Sequence, residues 1–143
     1  GTEVKELTQN IDFAPTFLEA ARIEPPREIQ GESLLPLVTR RGARRWRKSL
    51  YYHYYEYPGW HSVAKHYGVR TERYKLIHYY TYGEWELFDL KKDPHEMTSV
   101  YGRPEYAKVQ KELEAELARL RKFYKVPDDN MESVMKNIHW QKP

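Results

Sequence analysis

The sequence predicts an α+β fold: about four antiparallel strands forming a sheet, with a long C-terminal helix packed on one face. Three observations predict it. Residues 49–90 run as short segments of high β propensity broken by turn residues. Residues 104–124 place an apolar side chain every three or four positions, the spacing of one helical face. Of the 13 tyrosines, ten fall between Tyr51 and Tyr82, a stretch too aromatic for disorder. Consecutive short strands joined by tight turns form a meander, and the helix supplies the second layer.

In chain order, residues 7–23 (LTQNIDFAPTFLEAARI) come first. Ile11, Ala14, Phe17, Leu18 and Ala21 share a helical face. Asp12 is the expected N-cap, and Pro15 then sits in the first turn, where its missing N–H does no harm. Nothing nearby in sequence covers that apolar stripe. It is expected to pack on the sheet, on the C-terminal tail, or on a second copy of the chain, a homodimer through the helix of residues 12–22. Residues 24–36 carry Pro25, Pro26 and Gly31 and read as an extended segment. Residues 40–48 (RRGARRWRK) hold six cations and read as a solvated linker, with a polyanion patch as the alternative.

The first strand spans Tyr51 to Tyr57 and stops at Pro58-Gly59. Tyr51, His53, Tyr55 and Tyr57 face one way; Tyr52, Tyr54 and Glu56 face the other. Residues 67–71 and 73–80 form a hairpin around Glu72, with Tyr74, Leu76, His78 and Tyr80 on one face. Gly83 marks a turn, and residues 85–90 make the fourth strand. Asp93-Pro94 reverses the chain. The last helix begins at Pro104 and aligns Tyr106, Val109, Leu113, Leu117, Leu120 and either Phe123 or Tyr124. Residues 128–143 form a polar tail in which Met131, Val134, Met135 and Ile138 suggest a short amphipathic helix.

Several chemistries are excluded. The chain has no cysteine, hence no disulfide, thiolate metal site or cysteine nucleophile. A net charge of +3 is weak for a nucleic-acid domain, and none is expected as a partner. No run of about 20 apolar residues exists to span a membrane. There is no glycine-rich phosphate loop and no His-Glu-x-x-His pair. Ser33, Ser49, Ser62, Ser99 and Ser133 lie in no nucleophile motif. Asp128, Asp129 and Asn130 read as a helix cap rather than metal ligands, and Asp89 and Asp93 as structural. No catalytic residue and no metal ligand is therefore expected here.

Three segments, taken in order, resemble the type I, formylglycine-dependent sulfatases. QNIDFAPTFLEAARIEPPREIQGESLLPLV is similar to the end of their catalytic domain. YGVRTERYKLIHYY is similar to the hairpin of their C-terminal subdomain, and WELFDLKKDPHE to the turn before their last helix. YYHYYEYP narrows the resemblance to bacterial N-acetylglucosamine-6-sulfatases and mucin-desulfating sulfatases. One departure is Met97-Thr98-Ser99 where the family usually has Asn; Thr98 or Ser99 is expected to replace its hydrogen bonds.

The resemblance implies a C-terminal fragment of a periplasmic or secreted bacterial enzyme. Residues 1–40 would end an alkaline-phosphatase-like α/β catalytic domain, 41–48 would link, 49–127 would be the C-terminal subdomain and 128–143 the tail. The parent would use Ca²⁺ and formylglycine, both supplied upstream, on a sulfated glycan; the fragment alone would be inactive and would partner its own catalytic domain. The subdomain closes one side of the pocket in this family, so the loop after the first strand is the candidate sugar contact. Trp60, with Tyr57 before it, either stacks on a sugar ring or plugs the subdomain interface. His61 and His66 either meet hydroxyls or sulfate, or cap loops. Two other functions compete: a free-standing module for polyanions or nucleic acid, and the subdomain of a related phosphate- or phosphonate-ester hydrolase.

Overall fold

The computed structural model describes residues 3–39, 45–57 and 59–127. The expected tail helix lies outside them, as does most of the basic run. Four strands, β1 (Ser49–Tyr54), β2 (His66–Thr71), β3 (Tyr74–Tyr79) and β4 (Glu84–Asp89), form an antiparallel meander in the order β1-β2-β3-β4. Helix α3 (Ala107–Phe123) lies across one face, entered through a 3-10 turn at Pro104–Tyr106. Ahead of the sheet come a 3-10 turn at Asn10–Asp12, helix α1 (Phe13–Ala20) and the short α2 (Leu35–Val38).

Register explains the core. Tyr51, Val69, Leu76 and Leu87 lie opposite one another across the four strands. Val69, Leu76 and Leu87 are fully buried. Leu113, Leu117 and Leu120, three members of the predicted stripe, close over them from α3. A second row, His53, Tyr67, His78 and Trp85, continues this face. Tyr67 donates to or accepts from His78 Nδ1 at 2.8 Å and accepts from Arg121 at 2.9 Å. At the end of the stripe Phe123 turns outward, while Tyr124 packs against the core. β1 is shorter than expected at its far end. It stops at Tyr54 because its partner β2 begins opposite, at His66.

The other face of the sheet is built around a missing side chain. Tyr52, Gly68, Ile77 and Glu86 lie in one row. The Tyr52 phenol lies over Gly68, whose absent Cβ would stand 2.6 Å from Tyr52 Cζ. The Tyr52 hydroxyl is buried with no hydrogen-bond partner. Burial pushes its pKa well above the ordinary tyrosine value, with Glu96 adding to the effect. A desolvated, unpartnered hydroxyl costs stability. Tyr52→Phe, which keeps the ring over Gly68, is expected to stabilise the chain by about 1 kcal/mol. A lower urea midpoint for the variant would contradict this.

The N-terminal segment docks differently from the expectation. Asp12 is not a side-chain N-cap of α1. Its carboxylate is fully buried and collects the Gln9 N–H (2.7 Å), the Glu32 N–H (2.9 Å) and both Arg47 terminal nitrogens (2.7 Å each). Burial raises the carboxyl pKa, but Arg47 and the two backbone donors outweigh it and hold Asp12 below the usual carboxylate range. Arg47 is thus not a solvated linker cation: its side chain is 8% exposed. Trp46 beside it donates to the Leu7 carbonyl at 2.8 Å. Gly31 permits this hub, because a Cβ there would stand 2.5 Å from the Ile11 carbonyl carbon. Thr16 adds a strut, accepting the Leu34 N–H at 2.8 Å.

Anchoring α1 through Asp12, Pro15 and Thr16 leaves most of its predicted apolar stripe facing out: Ile11, Ala14, Phe17 and Ala21 are exposed, and Leu18 is half-buried. Phe13 and Phe17 stack at 6.4 Å and are 54% and 69% exposed. Ile11, Ile23 and Val38 are exposed as well. The stripe therefore does not pack on the sheet.

At the turn after β4, Asp89 is buried and takes Arg73 through two nitrogens, at 3.0 and 2.8 Å. Asp93 accepts the Thr98 N–H at 2.8 Å, and Ser99 Oγ accepts the Leu87 N–H at 3.1 Å. Both aspartates are structural here. Within the stretch Met97-Thr98-Ser99, the Ser99 side chain supplies local hydrogen bonds, to the Leu87 and Tyr101 N–H groups.

Candidate functional site

An antiparallel meander puts alternate connections at opposite ends of the sheet. The β1–β2 loop (residues 55–65) and the β3–β4 turn (residues 80–83) therefore share one end. All four sequence-derived candidates lie there. The Ser62 N–H donates to the Gly59 carbonyl at 3.0 Å, closing a tight turn with Trp60 and His61 as its central pair. That geometry throws both side chains outward. Trp60 is 97% exposed, so within the described residues it plugs nothing. His61 is exposed and Tyr57 partly so.

His66 is set apart from these three. It opens β2 on the face away from α3, half-buried. Its ring stacks on Tyr54 (5.5 Å) and meets Tyr52 edge-on and Tyr79 at a tilt. Nδ1 lies 2.7 Å from the Ala64 carbonyl. A carbonyl only accepts, so Nδ1 carries the hydrogen and the neutral ring keeps Nε2 as an acceptor. His66 thus caps the end of the loop while leaving one nitrogen for a ligand.

The loop offers a flat indole, a phenol and two imidazoles. Those groups can hold a pyranose ring and its hydroxyls. They do not make a hydrolytic centre. Among the described residues no three His, Asp or Glu side chains converge as metal ligands, and the two buried aspartates are committed to Arg47 and Arg73. The described residues do not fit a calcium or formylglycine site. No described helix is long and apolar enough to cross a membrane.

One neighbour of the site escaped sequence reading. Tyr82, in the β3–β4 turn, is 55% exposed and lies beside Tyr57, whose phenol raises the Tyr82 pKa. Nothing in the spacing of the two tyrosines signals that they meet.

Residues 1–123 match the family model described as N-sulphoglucosamine sulphohydrolase, C-terminal. The chain belongs to this family. It is the C-terminal part of a sulfatase-type protein. An N-acetylglucosamine-6-O-sulfatase of Bacteroides thetaiotaomicron is 50% identical over 139 residues, covering 94% of this chain and 25% of the relative. A solved structure described as bound to its substrate D-glucosamine-2-N,6-O-disulfate superposes with a TM-score of 0.78. Its identity is 52%, over 83% of this chain and 25% of that one. A phosphonate monoester hydrolase of Agrobacterium radiobacter superposes with a TM-score of 0.69 at 25% identity, over 83% of this chain and 26% of that one. This sulfatase-type chain therefore spans about a quarter of the length of the relatives it matches. The four-stranded sheet, long helix and preceding helix are those of the sulfatase C-terminal region.

Proposed function

We propose that this chain is the C-terminal portion of a sulfatase that hydrolyses sulfate esters of glycans, with 6-O-sulfated N-acetylglucosamine as substrate. The observation that carries the reading is 50% identity to an N-acetylglucosamine-6-O-sulfatase over 139 residues. In this reading residues 49–127 form the C-terminal subdomain, residues 1–40 belong to the catalytic body, and 41–48 connect them. The outward face of α1 (Phe13, Phe17) is then covered by the catalytic body of the same protein, which accounts for an apolar ridge left open here. Calcium, formylglycine and an exported location belong to the parent enzyme.

Within the parent, Trp60 stacks on the sugar, Tyr57 supports it, and His61 and the Nε2 of His66 accept from sugar hydroxyls. The full-length parent is expected to desulfate 6-O-sulfated N-acetylglucosamine, and the isolated 143-residue chain to turn over nothing. Trp60→Ala in the parent is expected to raise KM about tenfold with kcat little changed, as for loss of uniform binding. An unchanged KM would remove Trp60 from the site. The second reading, a phosphonate-ester hydrolase, rests on the TM-score of 0.69 with the Agrobacterium enzyme. Faster turnover of an aryl phosphonate than of the sulfated sugar would favour it.

A further inference from the structure

We propose that the cleft between the outer edge of β1 and the end of α3 is a second saccharide site, which holds an acidic unit of the glycan other than the one being desulfated. The proposal rests on the glycan reading above and extends it from one sugar to a chain.

β1 is an edge strand, with β2 on one side only. Two hydrogen bonds tie the N-terminal segment to its other side. Gln9 Nε2 donates to the Tyr51 carbonyl at 2.6 Å, and Gln30 Nε2 to the Tyr124 carbonyl at 3.1 Å. The N-terminal segment, β1 and residues 124–127 together line a cleft of about 380 Å³. Small-molecule sites span roughly 300–1,000 Å³ and favour seams between structural units.

The lining has the chemistry of a sugar site. One wall is aromatic: Tyr51, His53 and Tyr55. The His53 ring stacks on Tyr55 at 3.7 Å, and its nitrogens meet the Tyr51 and Tyr80 hydroxyls at 2.9 and 3.3 Å, so the wall is set before a ligand arrives. Tyr55 is 48% exposed, and a pyranose can pack its C–H face on such a ring. Asn10 and Gln30 bring carboxamides for hydroxyls, and Gln30 keeps its Oε1 as an acceptor. Among the described residues that line the cleft, Lys125 is the one permanently charged group, and no carboxylate opposes it. That charge selects an acidic sugar over a neutral one.

The backbone at Lys125 is itself unusual. Its φ of 52° lies in the left-handed region, at the position after a helix where glycine is favoured. The Lys125 and Val126 N–H groups close α3 on the Lys122 and Arg121 carbonyls. A lysine therefore stands where the backbone alone would prefer glycine. The lining contains no hydrolytic group, so the cleft holds a unit rather than cleaving it. Tyr55 opens the β1–β2 loop that carries Trp60, which links the cleft to the contact proposed for the sulfated sugar.

The test uses the full-length enzyme and two substrates: 6-O-sulfated N-acetylglucosamine alone, and a tetrasaccharide that ends in this sugar and carries acidic units behind it. Lys125→Gly is expected to raise KM for the tetrasaccharide roughly three- to fivefold and leave the monosaccharide KM and both kcat values unchanged. Glycine suits the left-handed backbone, so the variant folds at least as well and the loss is one of binding. Lys125→Arg, which keeps the charge, is expected to retain most of the tetrasaccharide affinity. Tyr55→Ala is expected to show the same selectivity for the longer substrate. A lysine serving only the helix end would leave both KM values unchanged in Lys125→Gly. That result, or equal changes on both substrates, would overturn the cleft proposal and leave the sulfatase reading standing. Absence of turnover on both substrates by the unmodified enzyme would overturn both.

Discussion

Asp12→Ala is expected to release the N-terminal segment from the sheet at a cost of about 3–5 kcal/mol, the range for leaving one member of a buried ion pair unpartnered. The loss has two parts. Arg47, 8% exposed, would keep its charge with only Glu32, at 4.0 Å and largely exposed, as a counter-ion. The Gln9 and Glu32 N–H groups would lose their acceptor as well. Trp46 reports the event directly, because its indole is tied to Leu7 and its fluorescence should shift when that contact opens. Urea unfolding followed by this signal is expected to show the loss, and a change below about 1 kcal/mol would mean that the hub is solvated in solution. The double variant Asp12→Ala, Arg47→Met should recover much of the difference, since it removes the orphaned charge.

The same pair fixes a pH dependence. The Asp12 carboxyl is held below its ordinary value of 3.8 in the folded chain. Its contribution is therefore complete above the unfolded pKa and is lost as pH falls through the lower, folded one. Detachment of the N-terminal segment is expected on the acid side of pH 3.8, with no transition from this group at neutral pH.

Gly68→Ala is expected to cost about 3 kcal/mol, the upper end for overpacking a tight interior. The added methyl would run into the Leu76 carbonyl oxygen and the Tyr52 ring. The carbonyl belongs to the neighbouring strand, so relief needs a backbone shift in the middle of the sheet. Combining Gly68→Ala with Tyr52→Ala tests the split between the two clashes. Recovery of most of the loss would place the strain in the ring, and no recovery would place it in the strand spacing. A Gly68→Ala variant as stable as the parent chain would contradict both.

The long helix and the meander are legible in the sequence because their signals are periodic and repeat many times. Leu113, Leu117 and Leu120 needed no structure to be placed in the core. Strand ends are less legible, since a strand ends where its partner does: Tyr55 and Tyr57 continue the β pattern of β1 but lie beyond its ladder with β2, which ends at Tyr54 and His66. Asp12 carries the local signature of a cap, and only the folded chain brings Arg47 to it, 35 positions later. Arg47 in turn is one of six cations in a run, and sequence alone does not single it out. At the candidate site, Pro58-Gly59 signals the turn that exposes Trp60 and His61. Tyr82 gives no signal of its own, because its significance comes from a neighbour on another connection.

The Asp12–Arg47 hub also dictates an order of assembly. Each strand of the meander pairs with the next one along the chain, so those contacts close short loops. The hub closes a loop of 35 positions, and the Gln9–Tyr51 bond one of 42. Longer loops cost more chain entropy to close. Moreover, the Tyr51 carbonyl that receives Gln9 is fixed in space only once β1 has paired. The meander is therefore expected to form before residues 3–39 dock on it, and an N-terminal segment that comes loose can redock without the strands coming apart.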